Sequence, residues 1–198
     1  MKQEIQGRTA YQYDADVVKA MLHSLLFVIG DDANRKGLLE TPDRIMKSWE
    51  TLFSGYKMNP KDVFKIFDLE EYDEMVLIKN VEFYSTCEHH LLPFFGRAHI
   101  AYIPKDQTKV VGASKLPRLL EIYSRRLQIQ ERLTKQITSD LMKYLDAEGA
   151  GCVIEAQHLC MMARGIQKQN SVMVTSSLEG CFKSLAVRTE FLTLIGLK

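Results

Sequence analysis

Apolar residues first recur at helical spacing over residues 14–29, where Val17/Val18, Met21/Leu22 and Leu25/Leu26 fall on one face. Asp14 stands ahead of the run as an N-cap and Gly30 behind it as a stop. A second helix is expected from "ETPDR", with Thr41 as cap, Pro42 in the first turn where its missing N–H costs nothing, and Gly55 as the end. Ile45, Trp49, Leu52 and Phe53 form its expected buried stripe, and Arg44 and Lys47 share the opposite face. From Met75 the period shortens. "MVLIKNVEFYS" and "GRAHIAYIP" are β-rich and partly alternating. Helices are expected over 116–126 and 130–145, the latter with Ile129, Leu133, Ile137, Leu141 and Tyr144/Leu145 as its stripe. "GCVIEAQHLC" and "SVMVTSSLEG" read as another strand pair and "SLAVRTEFLTLIG" as a closing helix. Helices, strand pair, helices, strand pair, helix is the order of an antiparallel α+β domain and not of a βαβ array.

Composition narrows the class. A chain of 198 residues fits one domain, or one domain with an appended helical arm, and a hydrophobic fraction of 46% supports a sizeable core. Lys plus Arg (26) nearly cancels Asp plus Glu (25), which argues against a general nucleic-acid or membrane-surface binder. Any anion site must be a local cluster. The opening "MKQEIQGRTAYQYDAD" has no apolar signal core, and the apolar stretch around 25–29 is too short to span a bilayer, so a cytoplasmic location is expected. In that compartment Cys87, Cys152, Cys160 and Cys181 are expected to be free or metal-bound and not a disulfide framework.

The stretch "YSTCEHHLLPFFG" carries the first candidate chemistry. Cys87-x-x-His90 is a short metal-ligand spacing, and His89 lies beside it, so either histidine, both or neither can join Cys87 on a metal. A third ligand is available in "QHLCMMARG", where His158 and Cys160 lie two apart. In an extended segment both would project from one face, roughly 6–7 Å apart, one onto the metal and the other onto a substrate. A lone C-x-x-H is a weak signal, buried free cysteines are common, and a Cys87–Cys160 disulfide stays open on spacing alone. Cys152 and Cys181 read as packing residues, and His23 and His99 as structural.

The second stretch is "VVGASKLPRLLEIYSRRLQIQERLT". A strand ending at Val111, a turn at Gly112 and a helix capped by Ser114 would place Lys115 and Arg118 in a first turn, where backbone N–H groups and the helix dipole favour phosphate. An ordinary basic helix start fits the same residues, and Pro117 removes one donor. Gln130 and Glu131 open the next helix. A carboxylate there either favours the positive helix end or accepts the paired ring N–H and amine of guanine, a contact that discriminates strongly between bases. Arg164 can bring another cation to phosphate oxygens.

Together these stretches closely resemble the GTP cyclohydrolase I family. The matches are "ETPDRIMK", "STCEHHLLPFFGRAHIAYIPKD", "VVGASKLPRLLEIYSRRLQIQERLTKQI", "HLCMMARGIQK" and "EFLTLI", in the family's order from about residue 14 to the end. The resemblance implies a hydrolase acting on cyclic amidine C–N bonds, which converts GTP and water into formate and 7,8-dihydroneopterin triphosphate at the start of tetrahydrofolate or pterin biosynthesis. It implies Zn2+ held by Cys87, His90 and Cys160, catalytic roles for His89, His158, Ser114 and Gln130, and a guanine anchor at Glu131. Phosphate contacts fall on Arg44, Lys47, Lys115, Arg118 and Arg164, and the ribose contact on Ser114. The resemblance further implies that zinc would supply hydroxide at neutral pH for attack on the purine imidazole ring and that His158 would supply the proton.

The family also implies a tunnelling fold, an antiparallel sheet with helices on one side, over residues 61–198, with an N-terminal helical arm over residues 1–60. A homodecamer of two pentamers with active sites between subunits is implied too, and GTP as the partner, with no nucleic acid or membrane. Ala113, Pro117 and Met173 depart from the family's usual residues, which bears on pocket shape and not on reaction class. Two other readings compete. One is a tunnelling-fold relative acting on a pterin or deazapurine. The other is a nucleotide-binding or assembly protein whose zinc is closed by a fourth ligand, His158.

Overall fold

The computed structural model describes residues 2–5, 8–11, 14–68, 72–105 and 109–197. Strands β1 (Lys2–Ile5) and β2 (Arg8–Tyr11) form an antiparallel pair that the hydrophobic pattern does not announce. The first expected helix is α1 (Ala15–Ile29). The Asp14 side chain accepts the Asp16 N–H at 2.9 Å, and Gly30, at a left-handed φ of 99°, closes the far end.

Helix α2 (Thr41–Leu52) differs from expectation at both ends. Glu40 holds the N-cap position, no side chain caps the helix, and Thr41 and Pro42 fill the first turn. The helix stops at Leu52, and Gly55 belongs to a following 3-10 turn, Ser54–Lys57. Gly55 is required there by close approach: its N–H donates to the Arg125 carbonyl at 3.1 Å, and a Cβ would overlap the Ile122 carbonyl. The expected buried stripe is only half covered, with Trp49 and Leu52 each 37% exposed.

The main sheet has the order β7-β4-β5-β8-β9. Its strands are β4 (Val76–Cys87), β5 (Pro93–Ile103), β7 (Leu127–Gln128), β8 (Gly149–His158) and β9 (Met173–Gly180). All pairs are antiparallel except β4 with β7. A separate short ladder joins β3 (Ile66–Asp68) to β6 (Lys109–Val111). Helices α3 (Lys115–Ser124), α4 (Gln130–Tyr144), the single turn α5 (Leu159–Met162) and α6 (Leu185–Ile195) complete a mixed α+β architecture with six helices among the described residues.

Alternation along the strands decides where the helices sit. Phe94, Ala98, Ile100 and Tyr102 of β5, with Cys152 and Ile154 of β8, share one face with Leu119 of α3 and Leu133, Ile137 and Leu141 of α4. The intervening residues Ala101 and Val153 face the other way, onto Phe182 and Phe191. The two rings meet edge to face at 5.5 Å, and Gly151 leaves room for them, since a Cβ there would sit 2.5 Å from the Phe182 ring. Because both faces at the centre of the sheet are apolar, both are covered. The expectation of helices on one side is therefore corrected: α3 and α4 cover one face and α6 the other. No helix among the described residues is long and apolar enough to cross a membrane.

His99 lies on the α6 face, only 2% exposed, with Nδ1 unpartnered and Nε2 3.4 Å from a Glu155 carboxylate oxygen. Burial pushes its pKa down, Glu155 opposes this, and Lys79 and Arg97 add to the lowering. The folded state thus binds its proton less readily than the unfolded chain, so stability is full above the ordinary histidine pKa and is lost as pH falls towards the lowered folded value.

Two measurements check this packing. Phe191→Ala, which empties a fully buried site, is expected to cost about 3–5 kcal/mol by denaturant unfolding at fixed protein concentration; an unchanged midpoint contradicts the α6 packing. Lowering pH below about 6.5 is expected to weaken the native protein more than His99→Gln; identical pH slopes contradict the assignment.

Candidate metal centre and active site

β4 ends at Cys87 and β5 begins at Pro93, so the adjacent histidines lie in a tight connection. The Leu91 N–H donates to the Cys87 carbonyl and the Cys87 N–H to the Leu92 carbonyl, each at 2.9 Å. The first bond makes a single helical turn, in which residues three apart, such as Cys87 and His90, share a side. Leu91 reverses the chain at a left-handed φ of 56°, a conformation that costs a non-glycine residue about 1–2 kcal/mol.

The third member arrives on β8. This strand pairs His158 with Phe94 of β5 and then breaks at Leu159 into α5. The extended geometry expected for "HLC" is corrected accordingly: Cys160 lies in a helical turn, and winding, not strand alternation, separates it from His158. A sulfur from Cys87, a ring nitrogen of His90 and the sulfur of Cys160 all lie within 4.8 Å of one another. All four cysteines are free.

Two thiols and an imidazole are a donor set that suits zinc. Tetrahedral bonds of ordinary Zn–S and Zn–N length put such donors about 3.6 Å apart; Cys87 Sγ and His90 Nδ1 are 3.9 Å apart. Burial, and then the neighbouring Cys87, push the Cys160 thiol up from its ordinary value. Zinc is bound by thiolate and not by thiol, so metal binding here would release protons. No fourth His, Cys, Asp or Glu among the described residues joins the cluster.

His158 does different work. Its ring lies parallel to Phe94 at 4.7 Å, and Nε2 is 2.8 Å from Gln130 Oε1. Burial lowers its pKa and the nearby Glu131 carboxylate opposes the shift. Gln130 and Glu131 open α4 as expected, Gln130 buried and Glu131 exposed. The His89 side chain is 65% exposed, with Nε2 4.0 Å from Glu88. Arg132 of α4 grips Glu88 at 2.5 and 3.0 Å, which ties the ligand turn to the helix carrying Gln130 and Glu131.

The cations are dispersed. Lys115 and Arg118 begin α3 and line a cavity of about 500 Å³ with Lys57, Asp62 and Glu121. Ser114 occupies the N-cap position, but its side chain makes no capping bond. Arg164 donates to the Cys160 carbonyl at 3.3 Å. Arg44 pairs with Glu40 on α2, and among the described residues no hydrogen bond or ion pair joins it or Lys47 to the other candidate residues. A cavity of about 480 Å³ between Trp49, Leu52, Tyr84, Leu91, Pro93 and Arg125 borders the ligand turn. A larger one, about 740 Å³, is lined by Glu82, Arg97, His99 and Glu155 and lacks the cysteine–histidine cluster, so donor chemistry and not size locates the candidate centre.

Sequence reading missed the Phe94–His158 stack and the Glu88–Arg132 clamp, because each depends on strand or helix neighbours distant in the chain. The Cys160 turn was missed for a different reason, since "HLCMM" continues the apolar character of the strand before it.

The model of the family described as GTP cyclohydrolase I matches residues 18–196. The GTP cyclohydrolase 1 of Campylobacter jejuni (strain RM1221) is 54% identical over 183 residues, covering 91% of this chain and 93% of that protein. That of Wolinella succinogenes is 54% identical over 173 residues (86% and 91%), and that of Chlorobaculum tepidum 49% over 193 residues (94% and 85%). The apo crystal structure of the archaeosine synthase QueF-Like aligns over 56% of this chain and 97% of its own, with a TM-score of 0.45 and 13% identity. With a family-wide match over nearly its whole length, the chain belongs to the GTP cyclohydrolase I family of hydrolases.

Proposed function

We propose that the chain converts GTP and water into formate and 7,8-dihydroneopterin triphosphate, the first step towards tetrahydrofolate or pterin cofactors. The observation that carries this reading is the three-residue cluster Cys87, His90 and Cys160, with His158 beside it yet bonded to Gln130 instead of completing the set. Cys87, His90 and Cys160 would hold Zn2+, which when bound acidifies water towards neutral pH. His158 outside the cluster favours a catalytic centre over a closed structural one. The combination of this cluster with His89, Glu131 and His158 favours GTP over a pterin or deazapurine substrate.

Each residue then has a defined task. Glu131 accepts the ring N–H and exocyclic amine of guanine, and a wrong base leaves its carboxylate unpaired. His158 delivers a proton to the imidazole nitrogen of the purine while water adds at carbon eight, and a second hydrolysis releases formate. His89, exposed on the ligand turn, faces the substrate. Ser114 contacts the ribose and assists its opening and rearrangement. Lys115, Arg118, Arg164, Arg44 and Lys47 bind and position the triphosphate, in which no phosphate bond breaks.

Residues 1–60, helical in α1 and α2 and preceded by the β1–β2 pair, act as an arm on a tunnelling-fold domain over 61–198, within a cytoplasmic homodecamer of two pentamers. Support comes from α1, which buries no residue and leaves Met21 67%, Val28 82% and Ile29 70% exposed, an apolar surface that association would cover. Active sites between subunits would bring Arg44 and Lys47 to a neighbour's phosphates.

The test is incubation with GTP, assaying formate and the fluorescent oxidised pterin with and without chelator. Chelation is expected to abolish both products. Cys160→Ser is expected to lose zinc and activity together, and His158→Ala to keep zinc while turnover falls at least about a hundredfold. Zinc-loaded protein that makes no formate overturns the reading, and His158→Ala that sheds zinc overturns the role of His158.

A further inference from the structure

The turn that carries His90 has little apolar burial to hold it. Between Cys87 and Pro93, Glu88 and Leu92 are half-buried, and His89, His90 and Leu91 are exposed. Two internal bonds, Leu91 N–H to the Cys87 carbonyl and Cys87 N–H to the Leu92 carbonyl, fix its winding but not its place against the rest of the protein. The left-handed φ of 56° at Leu91 is a backbone conformation that opposes the turn. Among the described residues, Glu88 alone of residues 88–92 hydrogen-bonds outside the turn and its two flanking strands.

Glu88 makes two such tethers. Its N–H donates to the Gln128 carbonyl at 3.1 Å, which extends the parallel pairing of Cys87 with Gln128 on β7, a strand of only two residues. Its carboxylate is gripped by Arg132, with Nη1 2.5 Å from Oε2 and Nη2 3.0 Å from Oε1. A fork of two parallel bonds fixes orientation as well as distance, which a single bond does not. Arg132 stands on a rigid base, since Leu133 beside it, Ile137 and Leu141 are fully buried. The pair is partly in water, Arg132 44% and Glu88 29% exposed, so it adds little to global stability. Its effect is local, on a turn with few other restraints. Charge alone argues against Arg132 in this place, because a guanidinium held against the residue after Cys87 repels a dication.

We propose that Glu88 and Arg132 are a positioning pair for the metal centre: their fork holds the turn against α4, so that Cys87 and His90 are set opposite Cys160 before the metal arrives. The proposal rests on those three residues holding zinc, as given above. Neither Glu88 nor Arg132 touches metal or substrate in this scheme. Donors set in advance lose less freedom when the metal binds, so breaking the fork weakens zinc binding whichever partner is altered.

The test is the zinc affinity of the full chain, stripped of metal and titrated against a chromophoric zinc chelator at fixed pH and ionic strength. Arg132→Gln removes a positive charge, which by charge alone would tighten zinc binding; it is expected to weaken it about fivefold. Glu88→Asp keeps the charge but is shorter by one methylene, so charge alone predicts no change; a loss of about fivefold is expected here too. The double variant is expected to stay within about twofold of either single, because both break the same fork. With zinc saturating, KM for GTP is expected to stay within about twofold of the parent in both single variants. Unchanged or tighter zinc binding in Arg132→Gln, parent-like binding in Glu88→Asp, or losses that add in the double variant overturn the proposal. A larger rise in KM overturns it as well, by assigning the pair to substrate. Should Arg132→Gln fail to fold, Glu88→Asp decides alone. A parent protein that takes up no zinc is the separate result that removes the metal reading, and this proposal with it.

Discussion

The site depends on one strand being shared. β5 pairs with β4 on one edge and β8 on the other, and its second residue, Phe94, stands opposite Ser85 and His158 at once. That register brings the turn after β4, with Cys87 and His90, level with the end of β8, where His158 and Cys160 follow. A slip of one residue on either side would exchange the faces of the strand and separate the donors. The register is pinned by burial, since Phe94, Ile100 and Tyr102 on one face and Ala101 on the other are all fully enclosed. The energy that holds Cys87, His90, His158 and Cys160 in place is thus mainly hydrophobic and is supplied away from them.

A second constraint couples the turn carrying Cys87 and His90 to the start of α4. Helix α4 begins with Gln130 and Glu131, holds Glu88 of the ligand turn through Arg132, and shares a row of hydroxyls and a carboxylate with β9. In that row Thr138 meets Ser177 at 2.7 Å, and Glu179 accepts from Thr138 at 2.7 Å and from Lys135 at 2.9 Å. A polar seam inside an otherwise apolar layer is costly unless satisfied, and here its members find one another. The seam fixes the rotation of α4 about its axis, and with it the direction of Gln130.

Periodicity was a sound guide wherever burial within the chain decides the structure. The strands around "GRAHIAYIP" and "GCVIEAQH" and the stripe Leu133, Ile137, Leu141 emerge as expected because each packs on its own chain. It was a weaker guide on α2, where Trp49 and Leu52 form a stripe by spacing and yet remain 37% exposed. It failed at Cys160, where a single helical turn follows a strand with no change in hydrophobicity. Local spacing favoured Cys87 with His90 without excluding His89; the Leu91-to-Cys87 bond that winds the turn is what groups His90 with the two cysteines among the described residues. Gln130 was visible as a helix start but not as a buried hub, since its partners Ile154, Met173 and Thr175 come from two later strands.

The central claim is a three-ligand metal centre left open by His158. X-ray absorption at the zinc edge of the purified, zinc-loaded protein tests it most directly. The expected result is two sulfurs at about 2.3 Å, one imidazole nitrogen at about 2.0–2.1 Å and one further light atom without imidazole scattering. A second imidazole in the shell, or fewer than two sulfurs, would contradict the account.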